Sequence, residues 1–561
     1  MERVLLVEPN YKNKYPPIGL MKISTYYKSK GDYVQFQKGL LPVAEVKTYN
    51  RVFITTLFTF DFDMCVETIR YYAAVMGYNN VFVGGIAATI MPEKFEAAIP
   101  GVQILTGQLV SSNVLGYHDN VNIDVLELDY DILWDIPYTY PAADSYFIYT
   151  SRGCPRKCPF CAVKTLEPVF YECENVRAQI QQVDLRFGIK KNLLIMDNNV
   201  LYAPHLSETI EAIADLGFGA NNNTVKKCNQ LPYMLYSLLE RRKIGKSYIH
   251  LLRRIKKLFL DIKLSRINNV DSMMLQPIIC AAADDKKEDV FLGYLTEYRV
   301  KLEDFFDRYY YHTIKRYVDF NQGLDARLLT AKKAEILSHI ALKPCRIAFD
   351  DIQMRKDYFD AIKVASDNGI LHFSNYLLYN YQDAPQDLWQ RLFLNIEYCE
   401  KHSEIKSLFS FPMRYAAIDH TDRRYVGKLW NKKFLKSMNV ILNVTAGVVP
   451  KEKDFFLRAF GHNPEEFLAI LTMPDDYIRY RDYFEKNGLI EAWKQAYAQL
   501  DEERRAELVH ILSAVETEVQ VVEQKHTLEL NLILQFYTVR KRKMEENPSY
   551  YYRLFGIVTQ E

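Results

Sequence analysis

The sequence predicts a multidomain α/β protein that ends in a helical region. The length of 561 residues exceeds what a single hydrophobic core serves. Short apolar runs alternate with amphipathic helical patterns over roughly the first 415 residues, and strand patterns then fade. Because strands separated by helices of about ten to fifteen residues belong to parallel sheets, we expect parallel α/β architecture before that point.

Residues 1–142 predict a doubly wound, Rossmann-like domain. "RVLLVEP", "RVFITTLF" and "NVFVGG" have the pattern of buried strands, and "PIGLMKISTYYKSKG" and "FDMCVETIRYYAAVMG" have that of helices. Ligands of such sheets bind beyond the carboxyl ends of the strands. Pro9-Asn10, Thr55-Thr56 and Gly84-Gly85 fall at those ends.

Residues 143–415 continue the alternation and predict a partial (β/α)6 barrel. The six strand candidates are "SYFIYT", "NLLIMDN", "YVDFNQG", "CRIAFDD", "SNYLLYNY" and "LFSFPM". Polar residues follow several of these strands, as they do on the catalytic face of a parallel barrel. Strand ends also meet solvent, which is the simpler explanation for any one of them. Residues 416–561 predict an all-α domain.

An insertion at about 219–313 separates the second and third of the six strand candidates, "NLLIMDN" and "YVDFNQG". Residues 226–266 contain twelve Lys or Arg against two acidic residues, and "YIHLLRRIKKLFLDIKL" predicts an amphipathic basic helix within a helical insertion. Two interpretations stay open. The charges form a solvated helical face, or they form a surface for an anionic partner, either nucleic acid or an acidic protein.

Bulk features favour a cytoplasmic protein without a membrane span. The apolar run at the N-terminus has only four residues, whereas a signal peptide needs about 7–15. No uncharged stretch approaches the ~18 residues of a membrane helix. Nine cysteines, an odd number and mostly scattered, do not resemble a secreted disulfide framework.

The stretch "TSRGCPRKCPFCAVK", residues 150–164, holds Cys154, Cys158 and Cys161. Structural zinc usually takes four ligands in two close pairs, and the next cysteine, Cys173, is twelve residues away. A redox Cys-x-x-Cys pair would leave Cys154 without a role. Three thiolates can also hold a [4Fe-4S] cluster whose fourth iron keeps an open coordination position. A cluster of that kind can bind and reduce a substrate.

Cys-x3-Cys-x2-Cys after a strand, with the aromatic Phe160 before the last cysteine, resembles the signature of the radical S-adenosylmethionine enzymes. "VDFNQGLDARLL", "RIAFDD" and "YLLYNYQDAPQDL" stand where that family has its later strand motifs. "YPPIGLMKIS" and "VFVGG" are similar to the cobalamin-binding-type domain that precedes many such barrels. The resemblance covers about residues 1–415 without the insertion.

The resemblance implies that the three cysteines bind the [4Fe-4S] cluster and that S-adenosylmethionine chelates its fourth iron. One electron, from a donor such as flavodoxin or ferredoxin, would cleave the sulfonium bond to methionine and a 5′-deoxyadenosyl radical. Hydrogen abstraction or methyl transfer on an unidentified substrate would follow. The positions implied for the nucleotide are Phe160 and Leu378 with Asn380 near the adenine, Asp197 and Asn198 near the methionyl amino group, and Asn321, Gln322 and Arg327 near the ribose or carboxylate.

Two departures from the family limit what the resemblance implies. The front domain lacks the Asp-x-His-x-x-Gly motif that gives cobalamin a lower axial histidine, and its one histidine, His118, lies near the end of the domain. Cobalamin would then bind without a protein histidine, or not at all. The basic insertion lies inside the barrel sequence. The alternatives to an enzyme are an iron–sulfur module that binds nucleic acid or protein without turnover, and a zinc-ribbon-like module.

Overall fold

The structure, a computed structural model, describes residues 1–173, 176–309, 312–523 and 527–557. The chain forms two compact units. Unit 1 comprises Met1–Gln322, Lys332–Lys343 and Ile418–Arg423, and unit 2 comprises Gly323–Ala331, Pro344–Ala417 and Arg424–Glu561. The division into these two units differs from the three domains expected with boundaries at residues 142 and 415. Those boundaries stay a prediction.

Unit 1 begins with a five-stranded parallel sheet flanked by helices. Its elements are β1 (Arg3–Glu8), α1 (Ile18–Ser29), β2 (Tyr33–Lys38), α2 (Val43–Val46), β3 (Arg51–Thr55), α3 (Phe62–Met76), β4 (Val81–Gly84), α4 (Ile86–Ile90), α5 (Pro92–Ala98) and β5 (Gln103–Ile104). The strand order is β2-β1-β3-β4-β5, with Val4 opposite Val34 on one side and Arg51 on the other. This doubly wound sheet agrees with the expected fold.

The central strand β1 shows why this sheet forms. Val4, Leu5, Leu6 and Val7 are all fully buried, as expected of a parallel strand that has helices on both faces. The sequence pattern predicts β1, β3 and β4. It misses β2, in which glutamines alternate with apolar residues, and β5, which has two residues.

A second parallel sheet in unit 1 has three strands in the order β12-β9-β6. Its elements before the insertion are β6 (Ser145–Ile148), β7 (Ser151–Arg152), α6 (Val163–Leu166), β8 (Tyr171–Glu172), α7 (Val176–Phe187), β9 (Asn192–Ile195) and α8 (Leu206–Ile213). After the insertion come β12 (Tyr317–Phe320) and α14 (Ala331–Ser338). Asn192 of β9 pairs with Ser145 of β6 and with Tyr317 of β12, so all three carboxyl ends lie at one edge.

The insertion between α8 and β12 is a helical subdomain on a two-stranded base. Its elements are β10 (Thr224–Lys226), α9 (Leu231–Lys243), α10 (Ile249–Leu260), α11 (Asn269–Ala283), α12 (Glu288–Glu297), α13 (Arg299–Tyr309) and β11 (Thr313–Lys315). The antiparallel pair β10–β11 closes the insertion, and Phe259, Phe291 and Phe306 pack together in a core of its own. The predicted basic helix corresponds to α10.

Unit 2 contains a third parallel sheet, in the order β13-β14-β15, followed by helices. The elements around this sheet are β13 (Cys345–Ala348), α15 (Arg355–Asp367), β14 (His372–Tyr379), α16 (Pro385–Lys401) and β15 (Ser407–Arg414). The later helices are α17 (Lys432–Val444), α18 (Lys453–Phe460), α19 (Pro464–Thr472), α20 (Asp475–Arg479), α21 (Arg481–Lys486), α22 (Leu489–Ala498), α23 (Glu502–Ala514), α24 (Leu528–Leu534), α25 (Lys541–Glu546) and α26 (Pro548–Leu554).

All six predicted strands of the barrel sequence are present, three in each unit and parallel within each sheet. Closure of the six into one partial barrel stays a prediction. Within the four described ranges, no helix is both long enough and apolar enough to pass through a bilayer.

Candidate functional site

The cysteine loop follows β6, the first strand of the second sheet. The chain leaves β6, forms the short strand β7, and returns after the cysteines to pair antiparallel with it through β8. Gly153 has φ +76°, and a Cβ atom at this position would lie 2.2 Å from the backbone oxygen of Val169. Only glycine fits here, so the glycine before Cys154 allows the two sides of the loop base to approach each other.

Glu167 closes the base of the cysteine loop. One of its carboxylate oxygens accepts hydrogen bonds from the Gly153 backbone nitrogen (2.7 Å) and from Asn198 Nδ2 (2.6 Å). The other accepts from Arg152 Nη1 at 2.6 Å. Because hydrogen bonds from three directions meet on one partly buried carboxylate, Glu167 fixes the loop base to the end of β9.

Arg152 connects the same base to the front domain. Its Nη2 donates to both carboxylate oxygens of Asp124, at 2.7 and 2.5 Å, and its guanidinium lies 3.3 Å from the ring centre of Tyr149. Lys22 of α1 also pairs with Asp124, at 3.1 Å. Burial lowers the pKa of Lys22, and the nearby Asp124 opposes that shift. Two cations and two carboxylates therefore compensate each other beneath the loop.

Asp197 attaches the end of β9 to the start of the cysteine loop. It is 3% exposed and accepts hydrogen bonds from the Thr150 backbone nitrogen and from Ser151 Oγ, both at 2.7 Å, and from the Thr150 hydroxyl. Burial raises the pKa of Asp197 to about 6, although these hydrogen bonds oppose the shift. Asp197 does not line the cavity described below. Its proposed contact with a methionyl amino group stays a prediction.

The three loop cysteines are partly buried. Asn199 Nδ2 lies 3.6 Å from Cys154 Sγ, and the Cys161 backbone nitrogen donates to the Cys158 oxygen at 3.1 Å. Asn199 Oδ1 is buried and has no hydrogen-bond partner among the described residues. In the part of the chain that the structure describes, no three His, Cys, Asp or Glu side chains are arranged as a ready-made metal site. The ligand role of the cysteines stays a prediction.

A cavity of about 790 Å³ in unit 1 reaches from the front sheet to the cysteine loop. Loops after β1, β3, β4 and β5 line one side, and loops after β6, β9 and β12 line the other. Both parallel sheets thus turn carboxyl ends toward one cavity, where ligands of such sheets bind. The volume is within the range of small-molecule and cofactor sites.

Three of the residues implied for the nucleotide line this cavity: Asn198, Asn321 and Gln322. Asn321 Oδ1 accepts a hydrogen bond from the Tyr15 hydroxyl at 2.7 Å, which joins the end of β12 to the front domain. Cys161 also lines the cavity, whereas the partly buried Phe160 does not. The structure therefore brings four predicted residues together around one space.

The other three implied residues lie in unit 2. Arg327 binds its neighbour Asp325, with Nε 2.7 Å from the carboxylate. The backbone oxygen of Leu378 accepts from Arg391 Nη2 at 2.8 Å. Asn380 is fully buried, with both ends of its amide engaged by backbone groups of unit 2. Their contacts with a nucleotide stay predictions.

The residues that sequence reasoning missed are the ones that join segments far apart in the chain. Glu167, Arg152, Tyr11 and Tyr15 all line the cavity. Arg152 was visible in the quoted loop, but its partner Asp124 lies in another domain of the prediction. No local pattern marks Glu167, because its importance comes from three donors that folding brings to it.

At least four of the twelve basic residues in 226–266 have partners within the protein. Arg241 Nη1 pairs with Asp135 at 2.5 Å and Lys246 lies 2.9 Å from the same carboxylate. Lys256 pairs with Asp285 at 3.0 Å, and Arg254 Nη2 donates to the Ile136 and Tyr138 backbone oxygens. This internal pairing gives these four charges a role without nucleic acid, and a nucleic-acid partner is not supported. An acidic protein partner stays a prediction.

No family model and no curated protein matches the chain. The chain is similar to a solved structure of TsrM, a radical S-adenosylmethionine methyltransferase from Kitasatospora setae with cobalamin and a [4Fe-4S] cluster bound. That likeness has 12% identity, covers 75% of this chain and 77% of that chain, and has a TM-score of 0.40. TsrM with tryptophan substrate and the S-adenosylmethionine analogue aza-SAM gives 14% identity, 71% of each chain and a TM-score of 0.37.

Proposed function

We propose that this protein is a radical S-adenosylmethionine enzyme that acts on a substrate in the unit 1 cavity. One observation carries the proposal. A loop with three cysteines follows the first strand of a parallel sheet and borders a 790 Å³ cavity that Asn198, Asn321 and Gln322 also line. Cys154, Cys158 and Cys161 would hold a [4Fe-4S] cluster.

The residues around the loop fit such a cluster in their chemistry. Three thiols within eight positions supply soft ligands for iron. Asn199 lies beside Cys154, and its buried Oδ1, which no described residue engages, would accept a hydrogen bond from a bound group. When bound and reduced, the cluster supplies the electron that cleaves the sulfonium bond of S-adenosylmethionine. Glu167 and Arg152 hold the loop, and the cavity walls exclude water from the reaction.

The neutral amides along the cavity suit the polar parts of the nucleotide. Asn198, Asn321 and Gln322 offer both donors and acceptors to ribose hydroxyls and to the methionyl group. Asn198 also binds Glu167, so the nucleotide site and the loop base share one hydrogen-bonded group. The reaction is hydrogen abstraction or methyl transfer, and the electron donor is a flavodoxin or ferredoxin.

The front half of the cavity is where a corrinoid without an imidazole ligand would bind. The loops after β1, β3, β4 and β5 line this half, and there is no histidine among the residues that the structure places around the cavity. We propose cobalamin as the second cofactor, held by the carboxyl end of the front sheet and by the apolar residues of these loops.

Cys158→Ala tests the cluster. We expect anaerobically purified variant to lose its iron, its brown absorbance and its turnover of S-adenosylmethionine, whereas Cys280→Ala, which alters an exposed thiol in α11, keeps all three. The products to measure are 5′-deoxyadenosine for reductive cleavage and S-adenosylhomocysteine for methyl transfer. Retention of iron and turnover in the Cys158→Ala protein would refute the proposal.

Two other outcomes would favour the alternatives. Stoichiometric zinc without iron in the wild-type protein would indicate a structural metal module. A cluster that depends on Cys158, with neither product formed under reducing conditions, would indicate an iron–sulfur protein without turnover.

A further inference from the structure

Tyr11, in the loop after β1, carries a buried hydroxyl group whose proton meets no acceptor among the residues that the structure describes. Its side chain is 5% exposed and lines the cavity, and the backbone of Leu57 acts as a hydrogen-bond donor toward its oxygen. The ring is fixed in place, with its centre 6.0 Å from that of Phe58 in an edge-to-face arrangement and with Lys38 Nζ 5.2 Å from it.

A buried hydroxyl proton without an acceptor destabilises the folded protein, because it has lost its hydrogen bond to water. Burial also raises the pKa of Tyr11 well above its usual value, so the hydroxyl stays protonated and is a donor. The side chain of Tyr27 is buried as well, but it does not line the cavity, and Tyr117 and Arg51 act as hydrogen-bond donors toward its oxygen. Tyr11 therefore differs from Tyr27 in being placed where a ligand can reach it.

The buried charges around this end of the cavity are already compensated, whereas Lys12 and Lys14 line it as exposed side chains. Glu8 pairs with Lys38 at 2.5 Å and also accepts from the Tyr140 hydroxyl. Asp124 pairs with Lys22 and Arg152. A buried surface whose charges are paired internally favours a neutral ligand group over an anion, because an anion would meet no buried cation that is uncompensated.

We propose that Tyr11 donates its hydrogen bond to a neutral carboxamide oxygen at the edge of a corrinoid ring. The inference rests on the proposed function and assigns one recognition residue in the front half of the cavity. Ligand binding supplies the acceptor that the empty protein lacks, so part of the binding free energy comes from satisfying Tyr11. A phosphate oxygen of the cobalamin nucleotide tail is the competing acceptor.

The test compares Tyr11→Phe with Tyr27→Phe, since each variant removes one buried hydroxyl from an otherwise unchanged ring. Equilibrium dialysis of the anaerobic protein with hydroxocobalamin and with cobinamide, which lacks the phosphate-bearing tail, gives the two affinities. We expect Tyr11→Phe to weaken both by about tenfold, and Tyr27→Phe to leave both unchanged within about twofold. Without corrinoid, Tyr11→Phe should unfold at the same or a higher urea concentration than the wild-type protein.

Three results would overturn the inference: equal affinities for the Tyr11→Phe and wild-type proteins, a loss confined to hydroxocobalamin, or no corrinoid binding by the wild-type protein. Iron content and nucleoside products are measured on the same preparation. These two measurements test the proposed function independently of the role of Tyr11. Intact cluster and turnover with no effect of Tyr11→Phe would refute the role of Tyr11 alone, whereas absent iron would refute the proposed function.

Discussion

The second and third parallel sheets have similar polar residues after their strands. Those of the second sheet line a cavity, whereas those of the third are held by other groups of the protein. In unit 1, Asn198 follows β9 and Asn321 follows β12, and both line the cavity. In unit 2, Asp350 follows β13 and Asn380 follows β14, and each interacts with groups of the protein itself. An asparagine after a strand is therefore equally consistent with ligand binding and with an internal clamp.

Arg391 of α16 shows how the strand ends of unit 2 are held. It is fully buried, and its Nη1 donates to the backbone oxygens of Phe349 and Asp350, both at 3.0 Å. Its Nη2 donates to the Leu378 oxygen at 2.8 Å and to Asp383 at 2.9 Å. One guanidinium thus connects the ends of β13 and β14, because its planar donors point in several directions at once.

Among these predictions, Arg391→Met should cause the largest loss of unfolding free energy. The variant keeps much of the side-chain volume but removes the Arg391 donors from Asp383 Oδ2 and from four backbone oxygens. We expect unit 2 to lose about 3–5 kcal/mol of unfolding free energy. Urea unfolding followed by tryptophan fluorescence measures this, since Trp389, Trp430 and Trp493 all lie in unit 2.

Arg504→Met is the control for that variant, because Arg504 makes exposed ion pairs with Asp501 and Glu529 in the same unit. Its midpoint should match that of the wild-type protein. Equal midpoints for both variants would show that the strand ends of unit 2 do not depend on Arg391.

The second prediction compares Asn380→Ala with Asn198→Ala. The pair distinguishes an asparagine that stabilises the fold from one that contacts a ligand. Asn380 has φ +68°, donates to the Tyr415 and Tyr425 oxygens and accepts from the Gly427 nitrogen at 2.7 Å. Alanine tolerates that backbone poorly and satisfies none of these groups. We expect Asn380→Ala to cost about 2–4 kcal/mol of unfolding free energy.

Asn198→Ala should cost less stability, because Glu167 keeps its bonds to Gly153 and Arg152. We expect instead about tenfold weaker binding of S-adenosylmethionine, measured by anaerobic equilibrium dialysis. Unchanged nucleotide affinity in Asn198→Ala, or a stability loss as large as that of Asn380→Ala, would remove the distinction between the two sheets.

The third prediction uses the pH dependence of unit 2. Burial raises the pKa of Asp350 to about 6, and Arg391 opposes that shift. The folded protein therefore holds this proton at pH values where the unfolded chain has released it. Stability should fall as the pH rises from about 4 to about 6, by about 2–3 kcal/mol in total.

Asp350→Asn should remove that part of the pH dependence, because the amide does not titrate. The measurement is the urea midpoint of unit 2 at several pH values between 4 and 7, for the wild-type and variant proteins. Identical slopes for the two proteins would contradict the assignment of the pH effect to Asp350.

The strands were predictable where their sequences are apolar and continuous. β1, β6 and β9 are such runs, and the structure contains each of them. β2 was not predicted because its polar residues weaken the pattern. The helical segment "IEAWKQAYAQLDEERRAELVHILSAVETEV" contains two helices, α22 and α23, because Asp501 caps a new N-terminus by accepting from the Arg504 nitrogen.

The sequence by itself determined the order of the strongly apolar strands and the position of the cysteine loop after β6, since apolar periodicity and ligand spacing are local properties of the chain. The tertiary structure alone decided which polar residues reach the cavity. Asn198 and Asn380 follow strands in the same way, yet one lines a cavity and the other is enclosed by backbone groups. A side chain's role depends on the partners that folding brings to it. Asn198 binds Glu167, which is 31 positions away in the sequence, and Asn380 binds Gly427, which is 47 positions away.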